Sequence, residues 1–128
     1  MIRVLVVDDS KFMARAIAGI LASMEFDVVG IAHDGLEGIA QFEQHHPDVT
    51  LLDITMPNMD GVDCLQKLRE IDADARVVML SAIKDQATID RCLELGACNF
   101  LKKPIKRGSP SDLSRLCDTL EEAVAKTV

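Results

Sequence analysis

Tryptophan and tyrosine are absent from this 128-residue chain, and four phenylalanines are its only aromatic residues. The ring-stacking partners that a flavin usually meets are therefore lacking, and no hydroxyl-rich phosphate loop follows the first apolar run, which argues against an electron carrier of that kind. Basic residues are also short: 14 Lys and Arg against 21 Asp and Glu give a formal charge of -7. A nucleic-acid backbone calls for a clustered basic surface, and the linear sequence supplies none, so direct nucleic-acid binding is not expected. Nor does any apolar run approach the roughly 20 residues of a membrane span, and the N-terminus lacks a basic region followed by a long apolar stretch. A cytoplasmic protein without membrane contact is the expectation. The cysteines Cys64, Cys92, Cys98 and Cys117 form no CxxC pair and read as small packing thiols in a reducing compartment. His45 and His46 fall where a helix should end, a place that favours positive charge, and no third ligand lies at zinc-binding spacing.

What the chain does have is alternation. Five apolar runs, at residues 2–7, 28–32, 49–53, 77–81 and 99–101, are separated by segments of helical period. The runs are rich in β-branched residues and mostly lack polar alternation, as expected of strands covered on both faces. Met13, Ala16, Ile17, Ile20 and Leu21 form one helical stripe, and Leu113, Leu116, Cys117, Leu120 and Val124 another, with less sharply amphipathic helices near residues 62–71 and 86–95. Asp34 with Glu37 resembles a capping box, Ser109 before Pro110 an N-cap followed by proline at the first helical position, and Gly96 a helix stop. Such βα units predict a single α/β domain over residues 1–128, a doubly wound five-stranded parallel sheet between two helical layers. Right-handed crossovers reach both faces only if the strand order reverses, and the reversal opens a crevice beyond the carboxyl ends. The common order 2-1-3-4-5, borrowed from known folds that include the family named below, puts strands one and three side by side.

The polar residues at those carboxyl ends carry the chemistry. The first run ends in Asp8-Asp9-Ser10, the third in Asp53, the fourth in Ser81, and the fifth leads into Lys102-Lys103-Pro104. Carboxylates on neighbouring strand ends repel by about 4 kcal/mol at 4 Å with an effective dielectric near 20, against a domain stability of roughly 5 to 15 kcal/mol. A counterion is needed, and hard oxygen ligands with room left for water and phosphate match Mg²⁺, with Mn²⁺ as an alternative ion. A lysine and a hydroxyl complete the inventory for oxygens that gather negative charge, with Asp53 as nucleophile. Taken singly, each acid reads as a helix N-cap, Ser81 as another and Lys103 as a solvated charge. Packing alone gives no reason for all five to converge.

Together these residues resemble the response-regulator receiver family, the CheY-like domains of two-component signalling. The likeness spans the chain through Val6-Val7-Asp8-Asp9-Ser10, Asp53-Ile54-Thr55-Met56-Pro57-Asn58-Met59-Asp60-Gly61, Ser81-Ala82 and Lys103-Pro104. It implies a flavodoxin-like three-layer sandwich in which Asp53 is the phosphoacceptor. Asp9, Asp53 and the Thr55 backbone carbonyl would ligate Mg²⁺, Asp8 would assist through bound water, and Lys103 would contact the phosphoryl group. Ser81 would follow the phosphoryl oxygen while Phe100 moves from exposed to buried, changing the surface of the fourth helix, fifth strand and fifth helix. A core aromatic is the plain alternative for Phe100. The implied partners are a histidine kinase or phosphotransfer protein as donor and a downstream protein target. The chain would promote only its own phosphorylation and dephosphorylation, as a monomer or weak dimer.

Some positions depart from the family pattern. Phe100 stands where many relatives have tyrosine, Ser81 where threonine is common, and Thr55 at a position that influences phosphoryl lifetime. The stretch 105–109 is longer and more basic than usual; Lys106 and Arg107 read as a solvated loop, with an altered output surface as the alternative. A Mg²⁺-dependent phosphohydrolase is a rival suggested by Asp53-Ile54-Thr55, but its nucleophile usually lies on the first strand with a second acid two residues on. A phosphorylation-independent interaction module is another, disfavoured by the intact acid set. No effector is expected after the fifth helix, so the chain would work alone or as the receiver portion of a longer protein.

Overall fold

Apolar runs become strands and periodic segments become helices in a computed structural model that describes residues 1–56, 59–82 and 85–125. Pro57 and Asn58, part of the stretch after Asp53, lie outside the described residues, as do Lys126, Thr127 and Val128. The elements are β1 Arg3–Val7, α1 Lys11–Ser23, β2 Asp27–Ala32, α2 Gly35–His45, β3 Val49–Asp53, α3 Gly61–Ile71, β4 Val77–Ser81, α4 Gln86–Glu94, β5 Asn99–Lys102 and α5 Pro110–Ala125. All four pairings are parallel, and the order is β2-β1-β3-β4-β5, as the sequence predicts. Strand bounds differ from the expected ones by at most one residue.

The sheet separates two cores by the parity of its strands. Val4, Val6, Val49, Leu51, Val78, Leu80 and Leu101 face one way, onto α1 and α5. Leu5, Val7, Leu52, Val77 and Met79 face the other, onto α2, α3 and Cys92 of α4. Both sets are at most a few per cent exposed, so the central strands gain from apolar burial on both sides, roughly 1.5–3 kcal/mol for each large side chain.

Helix ends follow local chemistry. Ser10 Oγ accepts from Met13 N at the start of α1, Asp34 from Glu37 N, Asp60 from Asp63 N and Asp85 from Ala87 N, each satisfying an orphan donor of the first turn. Ser109 Oγ accepts from Asp112 N at 3.3 Å as expected. The return half of the Asp34 capping box is not made; Glu37 Oε1 instead accepts from Gln41 Nε2. His45 and His46 end α2 as the sequence predicts, and Arg3 joins them there, donating to the carbonyls of His45 and His46 at 2.7 and 2.9 Å. Gly96, with φ of 105°, stops the segment after α4 as predicted, in a left-handed conformation that costs glycine little.

Cysteine packing also follows expectation at Cys64 and Cys92, both buried. Burial, then the charges of Asp34 and Asp60, push the Cys64 thiol up to about 12, and burial, then Asp60, raises that of Cys92. Cys98 and Cys117 are only half-buried. Cys117 Sγ donates to Glu121 Oε1 at 3.0 Å, and that hydrogen bond, with burial behind it, raises its thiol to about 11.

Among the described residues one buried polar atom is unsatisfied without serving the strand ends: Thr50 Oγ1 in β3 is fully buried and has no hydrogen-bond partner. Thr50→Val removes that hydroxyl at nearly constant shape, so urea denaturation should show a gain of about 1 kcal/mol.

Candidate functional site

Strand parity brings the predicted acids together. Asp8 continues the series Val4, Val6; Asp53 continues Val49, Leu51; and Lys103 continues Leu101, so all three leave the sheet on the α1 and α5 side. The parallel ladder runs one residue past the strands and fixes their height: Asp8 N donates to Ala32 O at 2.9 Å, Ile54 N to Leu80 O at 3.0 Å and Lys103 N to Ser81 O at 2.9 Å. Because Val7 pairs with Leu52, Asp8 and Asp53 are lateral neighbours.

Lys103 Nζ lies 3.1 Å from Asp53 Oδ2, a hydrogen bond, and 2.7 Å from Asp8 Oδ2. Asp8 Oδ2 is fully buried, and the Lys103 ammonium is its ion-pair partner. Asp8 Oδ1 accepts from Ser10 N at 3.0 Å and Asp53 Oδ1 from Thr55 N at 3.3 Å. Asp9 is exposed, yet one carboxylate oxygen from each of Asp8, Asp9 and Asp53 lies within 4.8 Å of the others. Burial pushes the Asp53 carboxyl up from its ordinary 3.8 to about 6; Lys103 pulls it down through its hydrogen bond and charge, and Asp8 and Asp9 push it further up. Burial also pulls the Lys103 ammonium down, but the two carboxylates overcome it and its pKa is raised overall.

These acids are not N-caps. The caps of α1, α3 and α4 are Ser10, Asp60 and Asp85, so the ordinary reading of strand-end carboxylates does not hold here. The residue types fit a divalent ion: three carboxylates against one ammonium leave two negative charges uncompensated, and clustered carboxylate oxygens are hard ligands for such an ion.

The other predicted positions stand around this cluster. Ser81 is buried at 3% exposure and continues the parity of Val77 and Met79, opposite to that of Asp53. Phe100 shares that face, pairs in register with Met79 and is half-buried against the same core. Thr55 is exposed. Two further contributors are Gly61, which the sequence reading quoted only as the end of the stretch after Asp53, and His33, which it missed. Gly61 packs so closely on the turn after β3 that a Cβ would strike the Asp53 carbonyl, and His33 places Nδ1 3.3 Å from the Asp8 carbonyl. The Met59-Asp60-Gly61 punctuation marks the first as a tight approach; no local signal marks the second, which depends on neighbouring strand ends.

The pKa order predicts a pH effect. Asp53 ionises at about 6 in the folded chain and at about 3.8 unfolded, so its contribution to stability is fully present below about pH 4 and is lost as pH rises through about 6. In metal-free buffer Asp53→Asn should therefore be more stable than the native chain at pH 8, by roughly 1–3 kcal/mol, and lose that advantage at pH 4. Urea denaturation with chelator at the two pH values measures the difference.

Comparison with known proteins agrees with this geometry. The response regulator receiver domain profile matches residues 4–113. The chain is 36% identical over 126 residues to the chemotaxis protein CheY of Bacillus subtilis, covering 98% of this chain and 97% of that one. It is 44% identical over 106 residues to protein-glutamate methylesterase/protein-glutamine glutaminase 3 of Geobacter sulfurreducens, covering 82% of this chain but 28% of that enzyme. Among solved structures, CheY of Borrelia burgdorferi, in a complex with CheX, BeF3 and Mg²⁺, superposes with a TM-score of 0.86 at 34% identity, over 94% of this chain and 87% of that one. With a profile match over most of its length and a full-length relative above 30% identity, this chain belongs to the response regulator receiver domain family.

Proposed function

We propose that the chain is a phosphorylation-operated switch whose phosphoacceptor is Asp53. The observation that carries this reading is a buried Asp53 carboxylate, hydrogen-bonded to Lys103 and within 4.8 Å of carboxylate oxygens from Asp8 and Asp9. The donor is a phosphohistidine on a histidine kinase or phosphotransfer protein, or a small donor such as acetyl phosphate. An Asp53 oxygen forms a bond to phosphorus in line with the breaking bond to the leaving group, and the leaving group departs with the bonding electron pair. Lys103 holds the nucleophile in place and neutralises charge on the transferred group. Water later attacks the phosphorus, releases phosphate and restores the carboxylate.

Asp8, Asp9, Asp53 and the Thr55 backbone carbonyl are the residues that would hold Mg²⁺, or Mn²⁺ in its place. When bound, the ion supplies charge neutralisation at the phosphoryl oxygens. Ser81 offers a hydroxyl whose contact with the phosphoryl group differs between two states, as a population shift requires. Phe100, on the same sheet face, relays the change to the surface of α4, β5 and α5, where a downstream protein binds. Among the described residues no helix is long and apolar enough to cross a membrane. In this reading the chain promotes only its own phosphorylation and dephosphorylation.

Intact-mass measurement after acetyl phosphate and Mg²⁺ should show one added phosphoryl group in the native chain and none in Asp53→Asn; an equal gain in the variant would sink the assignment. Asp9→Ala should weaken Mg²⁺ binding at least about tenfold, since too few anionic ligands remain. Because Mg²⁺ competes with the proton on Asp53, affinity followed by titration should fall by about tenfold per pH unit below about 6.

A further inference from the structure

Side-chain contacts fix which flanks of α2 and α3 face each other. Cys64 Sγ of α3 approaches the Gly35 carbonyl of α2 at 3.7 Å. Gln41 of α2 turns the other way and donates to Ile31 O at the β2 edge, and Arg69 of α3 lies against Gly96 beyond α4. Helical spacing then assigns the neighbours. Lys67 and Ile71 follow Cys64 along the flank of α3 toward α2, and Leu36, Ile39 and Glu43 run along the flank of α2 opposite Gln41. Met59 closes the upper end, its Sδ 3.0 Å from where a Gly35 Cβ would sit. The result is a groove with apolar points that packing leaves uncovered: Leu36 is 61% and Ile71 44% exposed, and Ile39 and Met59 are half-buried. On the α3 wall lies a hollow of about 310 Å³ lined by Met59, Asp63, Gln66, Lys67 and Glu70. Ligand pockets run from roughly 300 to 1,000 Å³, so this one suits a single aliphatic side chain better than a cofactor. Glu43, Asp60, Asp63 and Glu70 are exposed along the groove, and the cation among them is Lys67, drawn to Glu70 at 3.7 Å.

We infer that this groove is a docking site for a basic amphipathic helix of a partner protein, whose apolar stripe seats on Leu36 and Ile71 and whose lysine and arginine side chains meet the acidic rim. Two helices side by side, with apolar points between them, present the kind of trough that takes such a helix. From Gly61 to Ile71 the α3 wall runs about 15 Å at 1.5 Å per residue, which a partner helix of about three turns spans. Charge complementarity selects its polar face. The walls are also well anchored. Gly38 of α2 sits so close to β1 that a Cβ would come within 3.1 Å of Val7 Cγ1, and α2 and α3 cover the central strands β1 and β3. The groove therefore holds its partner whether or not Asp53 carries a phosphoryl group, and it does so on the opposite side of the sheet from α1 and α5.

The test begins in cells of the source organism, with the full chain carrying a photocrosslinking phenylalanine analogue in place of Leu36. Irradiation should attach a partner through a segment of helical period rich in lysine or arginine. By calorimetry the purified partner should bind the native chain, and bind at least about tenfold more weakly to Leu36→Ala/Ile71→Ala and to Glu43→Lys/Asp63→Lys. Reversing the partner's facing cations to glutamate should restore affinity for the second variant, and added salt should weaken the native complex. Asp53→Asn should bind within about twofold of native. Both groove variants should take up a phosphoryl group from acetyl phosphate within about twofold of native, a sign that the fold and the acid cluster are intact. Capture of nothing, of a second copy of this chain or of an acidic segment overturns the inference. So does an affinity that ignores the groove substitutions, that is lost in Asp53→Asn, or that falls only in step with acetyl phosphate labelling.

Discussion

Two carboxylates and an ammonium group taken out of water together are the constraint on which the rest of this structure turns. Asp8 is fully buried, Asp53 is 4% exposed, and the cation reaching both is Lys103, whose side chain is 13% exposed. Removing a single buried charge from water costs several kcal/mol even after relaxation, and only a close, well-placed counter-charge offsets it. One ammonium cannot fully balance two carboxylates plus the nearby Asp9, and the raised pKa of Asp53 comes first from its burial and only then from the charge of Asp8 and the contact with Asp9. The apolar cores on either side of the sheet hold this unfavourable arrangement in place. A cluster short of one or two positive charges is poised to take up a divalent ion, and an acid whose pKa is tuned by its surroundings is typical of a functional site rather than a structural one.

Holding the acids in reserve imposes a division of labour along the chain. Strand-end carboxylates are natural N-caps, but a capping acid is already committed to backbone donors of its own helix. Here the caps are Ser10, Asp60 and Asp85, three to seven residues beyond the last residues of their strands. The cost falls on the connections: the turn after β3 must come back so tightly that Gly61 N donates to Ile54 O at 2.6 Å, and no side chain fits there. A glycine at that point is a consequence of keeping Asp53 free.

Most of the sheet was legible in the sequence because its signals are local. Runs of β-branched residues give strands, and because side-chain period is two, the same runs say which of Asp8, Asp53, Ser81 and Lys103 leave on which face. The strand order was not legible, since periodicity carries no information about lateral neighbours; it came from folds already known. Interactions spanning the chain were invisible for the same reason. Arg3 closing the end of α2, Arg107 lying over Gly19 and His33 touching the Asp8 backbone depend on long side chains meeting elements that no pattern places beside them. The direct approach of Lys103 to Asp8, closer than its approach to Asp53, belongs to this group. A resemblance that cast Asp8 as acting through water did not anticipate it.

The position of Lys103 bears on how a change at Asp53 would travel. β1 and β3 are central strands, each held by neighbours on both sides, whereas β5 is the edge of the sheet and pairs only with β4. Lys103 directly follows β5. Its ammonium divides its attraction between Asp8 and Asp53, and a phosphoryl group on Asp53 would bring further negative oxygens to compete for it. Any redistribution pulls on an edge strand, where Phe100 is half-buried and Lys102 is exposed. The two central strands can keep the acids fixed while the edge responds, and a two-state element of that kind is what a switch needs in order to turn a local charge into a change of surface.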